Sequence, residues 1–143
     1  MSVVTTEESE GSPGPLAFEL GEGVPPLVQV RRWAGAALAD LTDDELGDCL
    51  LVVTELVANA YDHGSGPRRV RLERSPAPCS VRVEVEDTGG GEVVLGQPGA
   101  TSHRGRGLVI VDNLSRAWGV RRHARGKTVW AEIPCEPAAG DGQ

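Results

Sequence analysis

The chain has 143 residues, 39% of them apolar and 24% charged, which suits one water-soluble domain with its own core. A net charge of −7 argues against direct nucleic-acid binding, because affinity for a phosphate backbone needs basic surface. No apolar run is long enough to cross a membrane, and the acidic start (Glu7, Glu8, Glu10) is not that of a signal peptide, so no membrane partner and a cytoplasmic setting are expected.

Residues 1–14 are Ser, Thr, Glu, Gly and Pro, a composition that cannot bury enough apolar surface to order itself, and residues 135–143 read the same way. The globular part is expected over 15–134. Leu16 to Leu20 reads as a short strand. Pro25-Pro26 suits the first turn of a helix reaching about Asp40, with Val30, Trp33, Ala34, Ala37 and Leu38 inward. Thr42 with Glu45 is a capping-box signal, so a second helix is predicted from there to His63, stopped by Gly64.

Arg69 to Arg74 and Ser80 to Asp87 alternate, with Val70, Leu72, Val81, Val83 and Val85 on one face. They predict a hairpin turning at Ser75-Pro76-Ala77-Pro78. A Gly-rich stretch runs from Gly89 to Gly107, followed by a helix over Leu108 to Ser115. Two strands, Trp118 to His123 and Thr128 to Ile133, turn at Arg125-Gly126. The order β-α-α-β-β-loop-α-β-β predicts an α+β fold, an antiparallel-rich sheet with helices on one face. Cys49, Cys79 and Cys135 lack metal-ligand spacing and are odd in number, so reduced thiols are expected.

Three stretches could carry chemistry. Glu55 and Asn59 stand at i and i+4 on one helical face, within an apolar helix where an unpaired carboxylate is costly. Asn59 offers a neutral oxygen suited to Mg²⁺, and Glu55 could deprotonate a nucleophile beside it. A plain exposed polar stripe with Asp62 gives the same spacing. Asp87 closes a strand before Gly89-Gly90-Gly91. A carboxylate accepts from an exocyclic amine, and the glycines admit a flat ring, although the same residues also make an ordinary turn. Gly105-Arg106-Gly107, with Arg104, precedes an apolar helix and could cradle phosphate, or could simply be a loop and cap. His63, His103 and His123 read as a helix end, a loop residue and a strand residue. Neither a P-loop nor a G-x-S-x-G elbow occurs.

Taken in this order, the motifs resemble the GHKL (Bergerat-fold) ATPase superfamily of histidine kinases and gyrase. Glu55-Leu56-Val57-Ala58-Asn59-Ala60 is similar to its N box, and Asp87-Thr88-Gly89-Gly90-Gly91 to its D-x-G-x-G box. Arg104-Gly105-Arg106-Gly107-Leu108 is similar to its second Gly box, and Gly126-Lys127-Thr128-Val129-Trp130 to its closing strand. A short lid over Glu92–Arg104 resembles the small RsbW/SpoIIAB-like anti-sigma-factor serine kinases, of which actinobacteria hold many.

The resemblance implies a two-layer α/β sandwich with a mixed, mostly antiparallel sheet, and ATP and Mg²⁺ as cofactors. It assigns Asn59 to the metal and Glu55 to the role of general base toward a serine or threonine. Asp87 would meet the adenine amine, with Gly89 and Gly91 shaping its pocket and Thr128 supporting the adenine side. Arg104, Gly105, Arg106, Gly107 and Leu108 would bracket the phosphates. It further implies a STAS-domain anti-anti-sigma protein and a sigma factor as partners, and a homodimer. Arg31 and Arg32 on the first helix are candidate partner contacts, or a solvated face beside Trp33. Two other functions compete with a kinase: a nucleotide-binding module without transferase activity, and an interaction domain whose motif residues only cap and turn.

Overall fold

The computed structural model describes residues 16–89 and 103–136. Its elements are β1 (Leu16–Leu20), α1 (Leu27–Ala37), α2 (Asp43–His63), β2 (Arg68–Pro76), β3 (Cys79–Asp87), α3 (His103–Leu114), β4 (Ala117–His123) and β5 (Gly126–Pro134). The five strands run β1-β2-β3-β5-β4, and each of the four pairings is antiparallel.

Register explains the layering. Val70, Val85, Val129 and Val120 lie opposite one another across four strands, as do Leu72, Val83, Ala131 and Trp118. These rows face the helices and meet Val52, Val53, Leu56 and Val57 of α2 and Val30 and Ala34 of α1, all fully buried. Burying an aliphatic side chain of this size contributes roughly 1.5–3 kcal/mol. The opposite rows are charged: Arg82 bonds Glu84 and Glu132 at 2.8 and 2.9 Å and lies over the Trp130 ring. The result is the expected two-layer α+β sandwich, with one sheet face packed and one solvated.

The ends of α2 fall where capping chemistry puts them. Thr42 Oγ1 accepts from the Glu45 backbone N–H, and Glu45 Oε1 accepts from the Thr42 N–H, both at 3.1 Å. Pro26 caps α1, and Leu38 is buried just past that helix's end.

Two expectations are corrected. Cys79 and Cys135 form a disulfide, leaving Cys49 as the free thiol. Pairing β3 with β5 brings their Cα atoms to 5.1 Å across a sequence separation of 56, a proximity no local spacing reveals. The last helix begins at His103 rather than Leu108, so Gly105-Arg106-Gly107 lies inside its first turns instead of ahead of it. Cys135 and Glu136 are tied to the body, the latter by its N–H to Glu45 Oε2. The tail expected over 1–14 and its counterpart over 137–143 lie outside the described residues, as do Gly91 and the lid up to residue 102.

Candidate functional site

The second half of α2 forms one wall of the site. Its core stripe, Val52, Val53, Leu56, Val57 and Ala60, faces the sheet, which turns Glu55, Asn59 and His63 toward a neighbouring side at successive i+4 steps. Glu55 is half-buried and makes no hydrogen bond or ion pair among the described residues. Asn59 is 3% exposed, yet neither its Oδ1 nor its Nδ2 has a partner there. His63 Nε2 is also buried without one. Buried amides are nearly always hydrogen-bonded, and leaving one unmade costs about 1–3 kcal/mol. An orphaned amide is therefore a feature to be explained by what it binds.

The floor is a row of three charges across β2, β3 and β5. Arg68 pairs in register with Asp87, and Asp87 with Lys127. All three are buried on the helix side of the sheet. Lys127 Nζ lies 3.2 Å from Asp87 Oδ1 and 3.1 Å from Oδ2 and donates to the His63 carbonyl at 3.4 Å. Arg68 donates to the carbonyls of Ala60, Gly64 and Gly66 at 3.0, 3.2 and 3.0 Å and stacks over Tyr61. The final carbonyls of a helix lack intrahelical donors and carry partial negative charge, so two cations there satisfy α2 and fix its end against the strands. Gly89 N–H donates to Asp87 Oδ1 at 2.8 Å.

The loop after α2 packs on the end of β3 with no room to spare. Ser65 carbonyl accepts from the Thr88 N–H at 3.0 Å. A Cβ on Gly64 would fall 2.4 Å from Asp87 Oδ2, and one on Gly66, at φ +74°, 1.7 Å from Thr88 Oγ1. Glycines here let helix end, loop and acid converge.

Asp87 and Gly89 thus stand at the end of α2, with Asn59 one turn before that end and Glu55 one turn before Asn59. Arg104, Gly105, Arg106, Gly107 and Leu108 lie in the first turns of α3, which packs against α2. Thr128 is placed differently: strand alternation sets it on the sheet face opposite Lys127, and its hydroxyl meets His123 Nε2 at 3.1 Å. Gly91 lies outside the described residues. Two residues at the site escaped the sequence reading, Lys127 and Arg68. Their signal was a charge at the inward step of an apolar alternation, before Val129-Ala131-Ile133 and Val70-Leu72 respectively.

No group of three or more His, Cys, Asp or Glu side chains that could cage a metal occurs among the described residues. The orphaned Asn59 amide does fit Mg²⁺, which takes one or two protein ligands and fills its remaining positions with phosphate oxygens and water.

Comparison with known proteins agrees with this architecture. Residues 25–133 match the model of the histidine kinase-like ATPase domain. The RsbU and RsbW domains of Rv1364c from Mycobacterium tuberculosis superpose with a TM-score of 0.61 at 21% identity, over 85% of this chain and 33% of that one. The Erythrobacter litoralis EL346 blue-light activated histidine kinase gives 0.51 at 27% identity, over 67% of this chain and 32% of that one. The chain therefore spans about a third of the length of each structure. No curated protein matches it. Among the described residues no helix is long and apolar enough to cross a membrane. The chain belongs to the histidine kinase-like ATPase domain family.

Proposed function

We propose that this histidine kinase-like ATPase domain binds ATP with Mg²⁺ and transfers the γ-phosphoryl group to a serine or threonine of a protein partner. The observation that carries the reading is Asn59, buried with both amide atoms unpartnered among the described residues, one turn beyond Glu55 and one turn before the end that Lys127 ties to Asp87. An amide left orphaned by the fold is accounted for by a ligand.

In this reading Asn59 holds the metal, and bound Mg²⁺ supplies charge neutralisation on the phosphates. Asp87 accepts from the adenine amine, and Gly89 and Gly91 let the base approach. Arg104, Gly105, Arg106, Gly107 and Leu108 frame the phosphates, where the start of α3 favours negative charge. Glu55, without a partner among the described residues, accepts the proton of the attacking hydroxyl as its oxygen bonds to phosphorus and ADP departs.

The partner class follows from the resemblance to small anti-sigma kinases and from the RsbW domain in the Mycobacterium tuberculosis structure. We assign a STAS-domain protein as phosphoacceptor, a sigma factor as the sequestered partner, a homodimer and a cytoplasmic setting. Glu55→Ala tests the chemistry. Phosphate transfer from labelled ATP to a STAS-domain protein is expected to fall at least a hundredfold, with ATP affinity retained. Equal transfer by the variant contradicts Glu55 as base, and no transfer by the wild type leaves a nucleotide-binding module.

A further inference from the structure

Lys127 is the single lysine of the chain; the other thirteen basic residues are arginine. It is among the most deeply buried side chains, 1% exposed, and so is the carboxylate it meets. A buried charge is tolerated only when paired and hydrogen-bonded. Both conditions hold here.

An ammonium has three N–H donors. Lys127 donates to Asp87 Oδ1 and to the His63 carbonyl, and its Nζ stands 3.1 Å from Asp87 Oδ2 as an ion pair. A carboxylate has about four acceptor positions. Among the described residues, Gly89 N–H and Lys127 hydrogen-bond to Oδ1, which leaves acceptor capacity on Oδ2.

We infer that Lys127 is a positioning residue for base recognition: it holds the Asp87 carboxylate in place as an acceptor for an N–H of an exocyclic amine. The inference rests on the nucleotide reading above and deepens it. An acceptor-only group favours a 6-amino purine and opposes a 6-oxo purine, whose oxygen is itself an acceptor. The other hydrogen bond of Lys127 joins the base-reading strand end to the carbonyl of His63, one turn from Asn59, so the base and phosphate sides of the site share one joint.

The test compares ATP with purine riboside triphosphate, which lacks only the 6-amino group, by calorimetric titration on wild type and Lys127→Met. Wild type is expected to prefer ATP about tenfold or more, and Lys127→Met to bind the two within about twofold. A residue that merely stabilised the fold would weaken both ligands equally and leave the ratio intact, and that result overturns the inference. If Lys127→Met does not fold, Lys127→Gln, which keeps one donor toward Asp87, carries the same comparison: a reduced ratio supports the inference and an unchanged one overturns it. Wild type that binds both ligands alike overturns base reading by Asp87 while leaving the nucleotide site standing. Wild type that binds neither removes the site and the inference together.

Discussion

Lys127 Nζ lies 3.1 Å from Asp87 Oδ2 with both side chains 1% exposed, so the acid at the end of β3 is held by a charge from β5. Removing one member strands the other without a counter-charge, at a cost of about 3–5 kcal/mol. Asp87→Ala is therefore expected to lower the denaturation midpoint far more than a surface substitution, and Asp87→Leu combined with Lys127→Met to recover most of the loss. Single variants within about 1 kcal/mol of wild type would show that the pair is not formed.

The Cys79–Cys135 disulfide closes a loop of 56 residues. Constraining a loop of that length is worth about 4 kcal/mol in the chain-entropy model. Cys79→Ala with Cys135→Ala, or reduction, is expected to shift the urea midpoint accordingly. Burial pushes the Cys49 thiol up to about 12, with Asp48 adding to it. Thiol reagent should then find no reactive cysteine in the folded oxidised chain, one after denaturation and all three after reduction as well. Reaction of the folded chain in oxidised buffer speaks against the bridge.

Gly126 opens β5 at φ +154°, and a Cβ there would sit 2.0 Å from the Asp87 carbonyl oxygen. Backbone cannot move aside as a side chain can, so Gly126→Ala is expected to cost more than about 2 kcal/mol and to weaken ligand binding at Asp87. Gly47, within α2, has open space around it, and Gly47→Ala is expected to stabilise by roughly 0.5–1 kcal/mol. Thermal melts of the two variants should move in opposite directions.

Asp40 is bonded by Arg74 at 2.8 and 3.0 Å, and that hydrogen bond holds its carboxyl below the ordinary 3.8. A lowered folded value means the pair stabilises above 3.8 and loses that contribution as pH falls through the lowered value. Asp40 is 67% exposed, so solvent screening limits the effect to at most about 0.5 kcal/mol. Asp40→Asn should be slightly less stable than wild type at neutral pH and equal to it in strong acid; a deficit that persists in acid points to another cause.

Local chemistry made much of the fold legible. Thr42, Glu45 and Gly64 bound α2, and the alternation of Val81, Val83 and Val85 gave β3 its buried face, because caps and period-two patterns are written within a few residues. What stayed hidden depends on register. Lys127 meets Asp87, and Cys135 meets Cys79, only because β5 pairs with β3, and no spacing along the chain encodes that pairing. Charges at the inward positions of Arg68 and Lys127 were the available sign. Glycines argue for loop at the start of α3, whereas packing against α2 carries the helix through them. The motif resemblance implies the adenine side for Thr128, whereas strand parity puts its hydroxyl on the other face.

The Asn59 amide, buried without a partner among the described residues, is proposed to hold a magnesium–nucleotide complex, and titrating ATP with and without Mg²⁺ into wild type and Asn59→Ala tests this. Mg²⁺-dependent binding by wild type is expected, weakened at least tenfold in Asn59→Ala, with the variant's melting temperature unchanged or raised because an unsatisfied buried amide has been removed. Equal, Mg²⁺-dependent affinity in both proteins, or no binding by folded wild type, would contradict it.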